Sequence, residues 1–155
     1  MRTPRLGVKA LIIRDRQVLM NRYRDADSTE VFALPGGGQE HGEDQVAAMI
    51  RECREEIGAT VEVHQAACLF EIMRPRRTVG DASIPPFHQV NVAYWCGLAE
   101  GEEPGEGTDP DSGQDGTAWL PLDRLDDHRV RPPELARWLQ SDPSDRPFSL
   151  GVCTF

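Results

Sequence analysis

The stretch Glu43–Ile57 does more than any other to limit what this chain can fold into. It follows a run of glycines, Pro35-Gly36-Gly37-Gly38, and Gly58 closes it. Val46, Ile50, Cys53 and Ile57 recur at helical spacing and form one apolar stripe, so the pattern predicts an amphipathic helix, with Gly58 as its stop. On either side the pattern is extended. Leu6–Ile13 and Gln17–Arg22 are apolar, β-branched runs joined at Arg14–Arg16, a hairpin signal, and Val31–Leu34 is a short third run. Val61–Met73 and His88–Ala99 read as longer strands and Thr117–Leu120 as a last short one. Pro132–Gln140 reads as a second helix with proline at its start. Arg74–Phe87, with Pro75, Pro85 and Pro86, is expected to be a loop, as is the acidic, Gly/Pro-rich Glu100–Gly116. Ser141–Phe155 carries no assignable pattern. Strands on both sides of a central helix, with another helix late in the chain, predict an α/β fold: a single domain over residues 1–155, built as an α/β/α sandwich around a mixed β-sheet.

A chain of 155 residues with 39 % hydrophobic and 28 % charged residues can bury a core without disulfides or metal. Cys53, Cys68, Cys96 and Cys153 lack C-x-x-C spacing and lie among apolar neighbours, so they read as small buried hydrophobes. The net charge of −9 argues against long nucleic acid or an anionic membrane as partner, since both demand Lys/Arg patches. It does not exclude a phosphorylated small molecule, because a divalent cation bridges carboxylates to phosphates. The N-terminal apolar run is broken by Arg14 and Asp15, too short for a spanning helix and without a signal-peptide pattern, so a cytoplasmic location is the expectation.

The charged side of the helix is where chemistry is expected. At about 100° per residue, Glu52, Glu55 and Glu56 fan over one side of it, opposite the predicted stripe. Carboxylates at i, i+3 and i+4 repel one another unless cations intervene. Hard oxygen ligands on one patch suit Mg²⁺ or Mn²⁺ rather than zinc. The bland alternative is a solvated face, with Arg51 and Arg54 as salt-bridge partners. The glycine turn just upstream lets backbone approach an ion or phosphate closely, and Glu40 and Glu43 add charge near the helix start, where the macrodipole favours it.

From Gly37 to Ala59 the chain reads G-x5-E-x7-R-E-C-x-E-E-x-G-A. This resembles the signature of the Nudix hydrolases, in which the position of Cys53 and that of Ala59 hold bulky apolar residues. Gly37, Glu43, Arg51, Glu52, Glu55, Glu56 and Gly58 all fall at the matching spacing. The resemblance implies a Nudix-like fold and a Mg²⁺-dependent hydrolase, with Mn²⁺ as a substitute ion. It would cleave the pyrophosphate linkage of a nucleoside diphosphate joined to another group, or of a nucleoside di- or triphosphate. It implies that Glu52, Glu55 and Glu56, with a carbonyl of the turn (assigned to Gly37), hold the metal. Arg51 would orient the glutamates by ion pairing, and Glu43 would brace Arg51 or the loop. For the general base it leaves Glu55 first and then an acid of the 100–116 loop such as Asp115, with a merely solvated loop as the alternative. Outside the signature, Arg22, Arg24, Arg74 and Arg76 are candidates to hold phosphate and Phe32 to stack on a base. Solvated arginines and a core phenylalanine are the alternatives. Pro75, sixteen residues past the signature, matches a spacing that accompanies ADP-ribose cleavage in some Nudix members. A nucleotide-sensing module without turnover is the competing reading, and an RNA-directed enzyme a third. The apolar end Val152-Cys153-Thr154-Phe155 offers either a homodimer interface or a segment that packs on the core.

Overall fold

The computed structural model describes residues 3–154, and Phe155 of the apolar tail lies outside that range. β1 (Arg5–Arg14) and β2 (Gln17–Arg24) form the expected hairpin. Its two-residue turn has Asp15 and Arg16 both in the left-handed region (φ 51° and 59°), the geometry that matches the twist of paired strands. The two strands pair only at the turn end, Ile13 with Val18 and Arg14 with Gln17. Beyond that point they part. β3 (Glu30–Ala33) pairs antiparallel with β2 from Asn21 to Arg24. The glycine turn then crosses to β1. Its carbonyls and amides complete the β1 backbone: Val8 N–H donates to Gly37 O, Ala10 N–H to Pro35 O, and Gln39 N–H to Leu6 O. The turn is therefore held as part of the sheet, between two strands that splay to admit it.

α1 (Gln45–Ile57) begins after Asp44, whose side chain accepts the Ala47 N–H at 2.8 Å, so the helix starts slightly later than the Glu43 expected. It ends at Gly58 (φ 62°), where a Cβ would stand 2.4 Å from Glu106 O. β4 (Val61–Arg74) runs antiparallel to β7 (Phe87–Leu98), and β7 runs parallel to β1 from Arg5 opposite Gln89 to Ile12 opposite Cys96. The Arg74–Phe87 segment is not a plain loop. It folds into a separate hairpin, β5 (Arg77–Val79) and β6 (Ala82–Ile84), which turns at Gly80 with φ 58°. β8 (Gln114–Pro121) extends the expected last strand upstream and pairs with β2. α2 (Pro133–Gln140) follows. The tail adds β9 (Ser149–Cys153), parallel to β4 at the edge of the sheet.

The result is the predicted α/β/α sandwich around a mixed sheet. On the α1 side, Val8, Ala10, Ile12, Leu19 and Cys96 pack against Met49, Cys53 and Ile57. On the α2 side, Leu11, Met20, Phe70 and Ala93 pack against Leu135, Trp138 and Leu139. β1 is covered on both faces, which explains its continuous apolar run. All four cysteines are free and buried. The buried stripe of α1 differs from the predicted one. It runs through Ala48, Met49, Cys53 and Ile57, while Val46 is 45 % exposed. Glu56 lies on this inward side at 3 % exposure, not opposite the stripe. No helix of the described residues is long and apolar enough to cross a membrane.

Candidate active site

The splayed strands bring the glycine turn over α1. A Cβ on Gly37 would stand 2.6 Å from the carboxylate of Glu52, so the turn leaves a cradle that any side chain would fill. Arg51 occupies the outer side. It donates to both oxygens of Glu43 (2.6 and 3.2 Å), to Glu52 at 3.0 Å, to Glu55 at 3.2 Å and to the carbonyl of Gly38 at 3.0 Å. Glu43 in turn accepts the Glu40 N–H, and these donors hold its carboxyl below the usual range, Arg51 contributing most. The roles expected for Arg51 and Glu43 thus have matching contacts: one guanidinium gathers three glutamates and one turn carbonyl.

Glu56 faces the other way. Its Oε2 accepts from Asn21 Nδ2 at 2.7 Å and from Gly36 N–H at 2.8 Å. Burial pushes this carboxyl up to about 7, against the opposing pull of Lys9, the Gly36 amide and Asn21. Burial also raises Glu52. Gly36 is pinned on both sides, since its carbonyl accepts from Lys9 Nζ at 2.6 Å. Its φ of 128°, with a hypothetical Cβ 2.1 Å from Val8 O, admits only glycine. The carbonyl of Gly37, the expected metal ligand, accepts from Val8 N–H, that of Gly38 from Arg51 and that of Gly36 from Lys9.

A cleft of about 450 Å³ opens beside Lys9 on the α2 side of the sheet. Its polar walls include Arg5, Lys9, Gln89 and Asn91, and its apolar walls Phe70, Ile72, Phe87 and Leu135. Gln89 donates to Asn91 at 2.7 Å, and both are almost fully buried. Gly7 makes room for this pair, because a Cβ there would meet Gln89 Nε2 at 2.1 Å. Tyr23 links cleft and carboxylates. Its hydroxyl donates to Asp111 at 3.3 Å and accepts from Asn21 at 3.5 Å, and Asn21 holds Glu56. Burial, followed by the charge of Glu56, raises the Tyr23 phenol, so it stays a donor.

The acidic loop is docked, not merely solvated. Gly105, Thr108 and Asp109 donate their N–H groups to the carbonyls of Ile57, Arg54 and Glu55, and the Gln114 side chain donates to Glu56 O at 2.8 Å. These bonds satisfy the last turn of α1. Asp115 is tied to arginines: Arg24 Nε donates to its carboxylate at 2.9 Å and Arg22 Nε to its backbone carbonyl at 2.8 Å. The loop acid at the cleft is Asp111. Of the substrate-binding candidates, only Arg24 lines the cleft, and Glu30 and Asp115 share it. Arg22 pairs with the same two acids. Phe32 is a core residue, 4 % exposed and edge-on to His128. Arg74 lies 5.8 Å over the Phe87 ring, and Arg76 donates to Ser83 within the β5–β6 hairpin. Lys9, Asn21, Gln89 and Asn91 carry no sequence signal except that they are polar residues inside strands.

The residues fit a small divalent cation. All donors are oxygens, Gly37 keeps space beside Glu52, and Asn21 Oδ1 is a fully buried acceptor without a hydrogen-bond partner, which a water of a hydrated ion would satisfy. Among the described residues no three carboxylate, imidazole or thiol groups converge on one point; Glu52 and Glu55 turn to Arg51, and Glu56 to Asn21 and Gly36.

The model of the NUDIX domain matches residues 3–139. Among solved structures the fold is similar to a NUDIX hydrolase from Nitrosomonas europaea, at 19 % identity over 88 % of this chain and 86 % of that one, TM-score 0.65. It is similar to an ADP-ribose pyrophosphatase from Streptococcus suis, at 18 % identity over 97 % and 98 %, TM-score 0.61. It is also similar to a MutT NUDIX hydrolase from Burkholderia pseudomallei, at 26 % identity over 79 % and 86 %, TM-score 0.53.

Proposed function

The chain belongs to the NUDIX hydrolase family, and from that premise we propose that it is a Mg²⁺-dependent pyrophosphatase acting on a nucleoside diphosphate linked to a second group. The observation that carries this reading is the placement of Glu52 and Glu56 against the glycine turn, from whose Gly36 carbonyl Lys9 reaches a cleft of about 450 Å³, the size of a small-molecule site. Glu52, Glu56 and the Gly36 carbonyl would hold the ion. Mg²⁺, when bound there, polarises phosphoryl oxygens, lowers the pKa of the attacking water and neutralises the leaving phosphate. Glu55 is the general base. Its side chain is one-third exposed, so water reaches it, and Arg51 fixes its direction. Water attacks one phosphorus of the bridge, Glu55 takes its proton, and the bridging oxygen leaves with the other phosphate. Arg24 and Lys9 bind phosphate oxygens from the cleft side. The nucleoside lies against Phe87, with the Gln89–Asn91 amides at its polar edge.

The test is product release from ADP-ribose, sugar nucleotides, dinucleoside polyphosphates, and nucleoside di- and triphosphates, each with Mg²⁺, with Mn²⁺ and with chelator. Metal-dependent cleavage of one class is the expected result. Silence across the panel, with nucleotide still bound in calorimetry, moves the assignment to a sensing module.

A further inference from the structure

Two cations stand at the site, and only one of them is the signature arginine. Arg51 takes Glu43, Glu52 and Glu55. The other is Lys9, from the middle of β1, at the turn whose Gly36 N–H holds Glu56 and whose Gly37 abuts Glu52. Its register partner on β7 is Ala93, a small buried residue that leaves the long side chain room to lie along the sheet. Lys9 Nζ ends 2.6 Å from the Gly36 carbonyl, the turn oxygen proposed above to hold the ion. An ammonium and a hard divalent ion want the same oxygens, so they compete for them. Lys9 also lines the cleft, and an ammonium has three N–H donors, of which the Gly36 carbonyl engages one.

Resting on the hydrolase reading above, we propose that Lys9 is a resident cation of the carboxylate cage. It stands at the carbonyl of Gly36, whose N–H holds Glu56, so a divalent ion that takes this carbonyl must displace it. When that ion loads, Lys9 turns to the diphosphate of the substrate in the cleft. Lys9 thus lowers the affinity for free metal and raises the affinity for the diphosphate, two effects of opposite sign from one side chain.

The experiment is Mn²⁺ binding by electron paramagnetic resonance on the full chain without nucleotide, comparing wild type with Lys9→Met and Lys9→Gln. The Gln variant keeps a donor for the Gly36 carbonyl and removes only the charge, and circular dichroism checks the fold of both. Wild type should bind Mn²⁺, and either folded variant should bind it more tightly by about tenfold or more. In chelator, calorimetry with ADP and UDP as probes should show weaker binding to the same variants, again by about tenfold. Unchanged or weaker Mn²⁺ binding in the folded variants overturns the proposal and leaves the hydrolase reading standing. A wild-type chain that binds no Mn²⁺ overturns both.

Discussion

Replacing Glu56 by glutamine separates the electrostatic cost of the site from its shape. Glu56 is 3 % exposed, and burial pushes its carboxyl from an ordinary value of 4.5 up to about 7. Between those two values the folded chain holds a proton that the unfolded chain has released. The contribution of Glu56 to stability is therefore greatest below pH 4.5, falls as pH rises through the window, and levels off above about 7. The separation corresponds to about 3 kcal/mol of stability lost at neutral pH. Glutamine keeps an oxygen to accept from Asn21 Nδ2 and Gly36 N–H but carries no charge. In chelator, Glu56→Gln should match wild type near pH 4.5 and exceed it by about 3 kcal/mol at pH 8, or about 1.5 M in urea midpoint. Glu52, raised in the same direction, is present in both proteins and cancels from the comparison. Saturating Mg²⁺ should restore much of the lost stability to wild type and little to the variant, which should also have lost turnover. Wild-type and variant stabilities that run parallel from pH 4.5 to pH 8 would refute the reasoning.

Gly37→Ala places a Cβ 2.6 Å from the Glu52 carboxylate without demanding a left-handed backbone. Metal affinity in calorimetry should fall by about 10- to 100-fold while the fold persists, and unchanged affinity removes the cradle from the account. Asp111→Asn should lower kcat/KM by about tenfold or more through the Tyr23–Asn21–Glu56 chain. Asp115→Asn, which only loosens exposed contacts to Arg22 and Arg24, should stay within about threefold of wild type. The opposite ranking in steady-state assays would return Asp115 to the site.

What could be read in the sequence was whatever depends on spacing within one element. The glutamates and Arg51 share a helix bounded by Asp44 and Gly58, so their order along the chain already states their geometry. The long strands were legible because β-branched and apolar residues cluster in them. What depends on distant partners was not. Glu56 projects beside Met49, yet its charge suggested solvent; only the approach of Asn21 and Gly36 shows it to be buried. Gln89 and Asn91 sit at inward strand positions that alternation assigns to apolar residues, and the cleft explains the exception. Asp115 and Arg24 meet across 91 positions of sequence, which no local pattern encodes. β9 is five residues of an edge, too short and too exposed to announce itself.

The insertion of the glycine turn between β1 and β2 has a thermal consequence. The amides of Val8, Ala10 and Gln39 are bonded across that seam, so the turn cannot loosen without opening the middle of the sheet. Hydrogen exchange at these three positions should be as slow as in the core strands and report global unfolding. On heating, metal binding and tertiary structure should disappear together, with no temperature range in which the protein stays folded but has lost its catalytic centre.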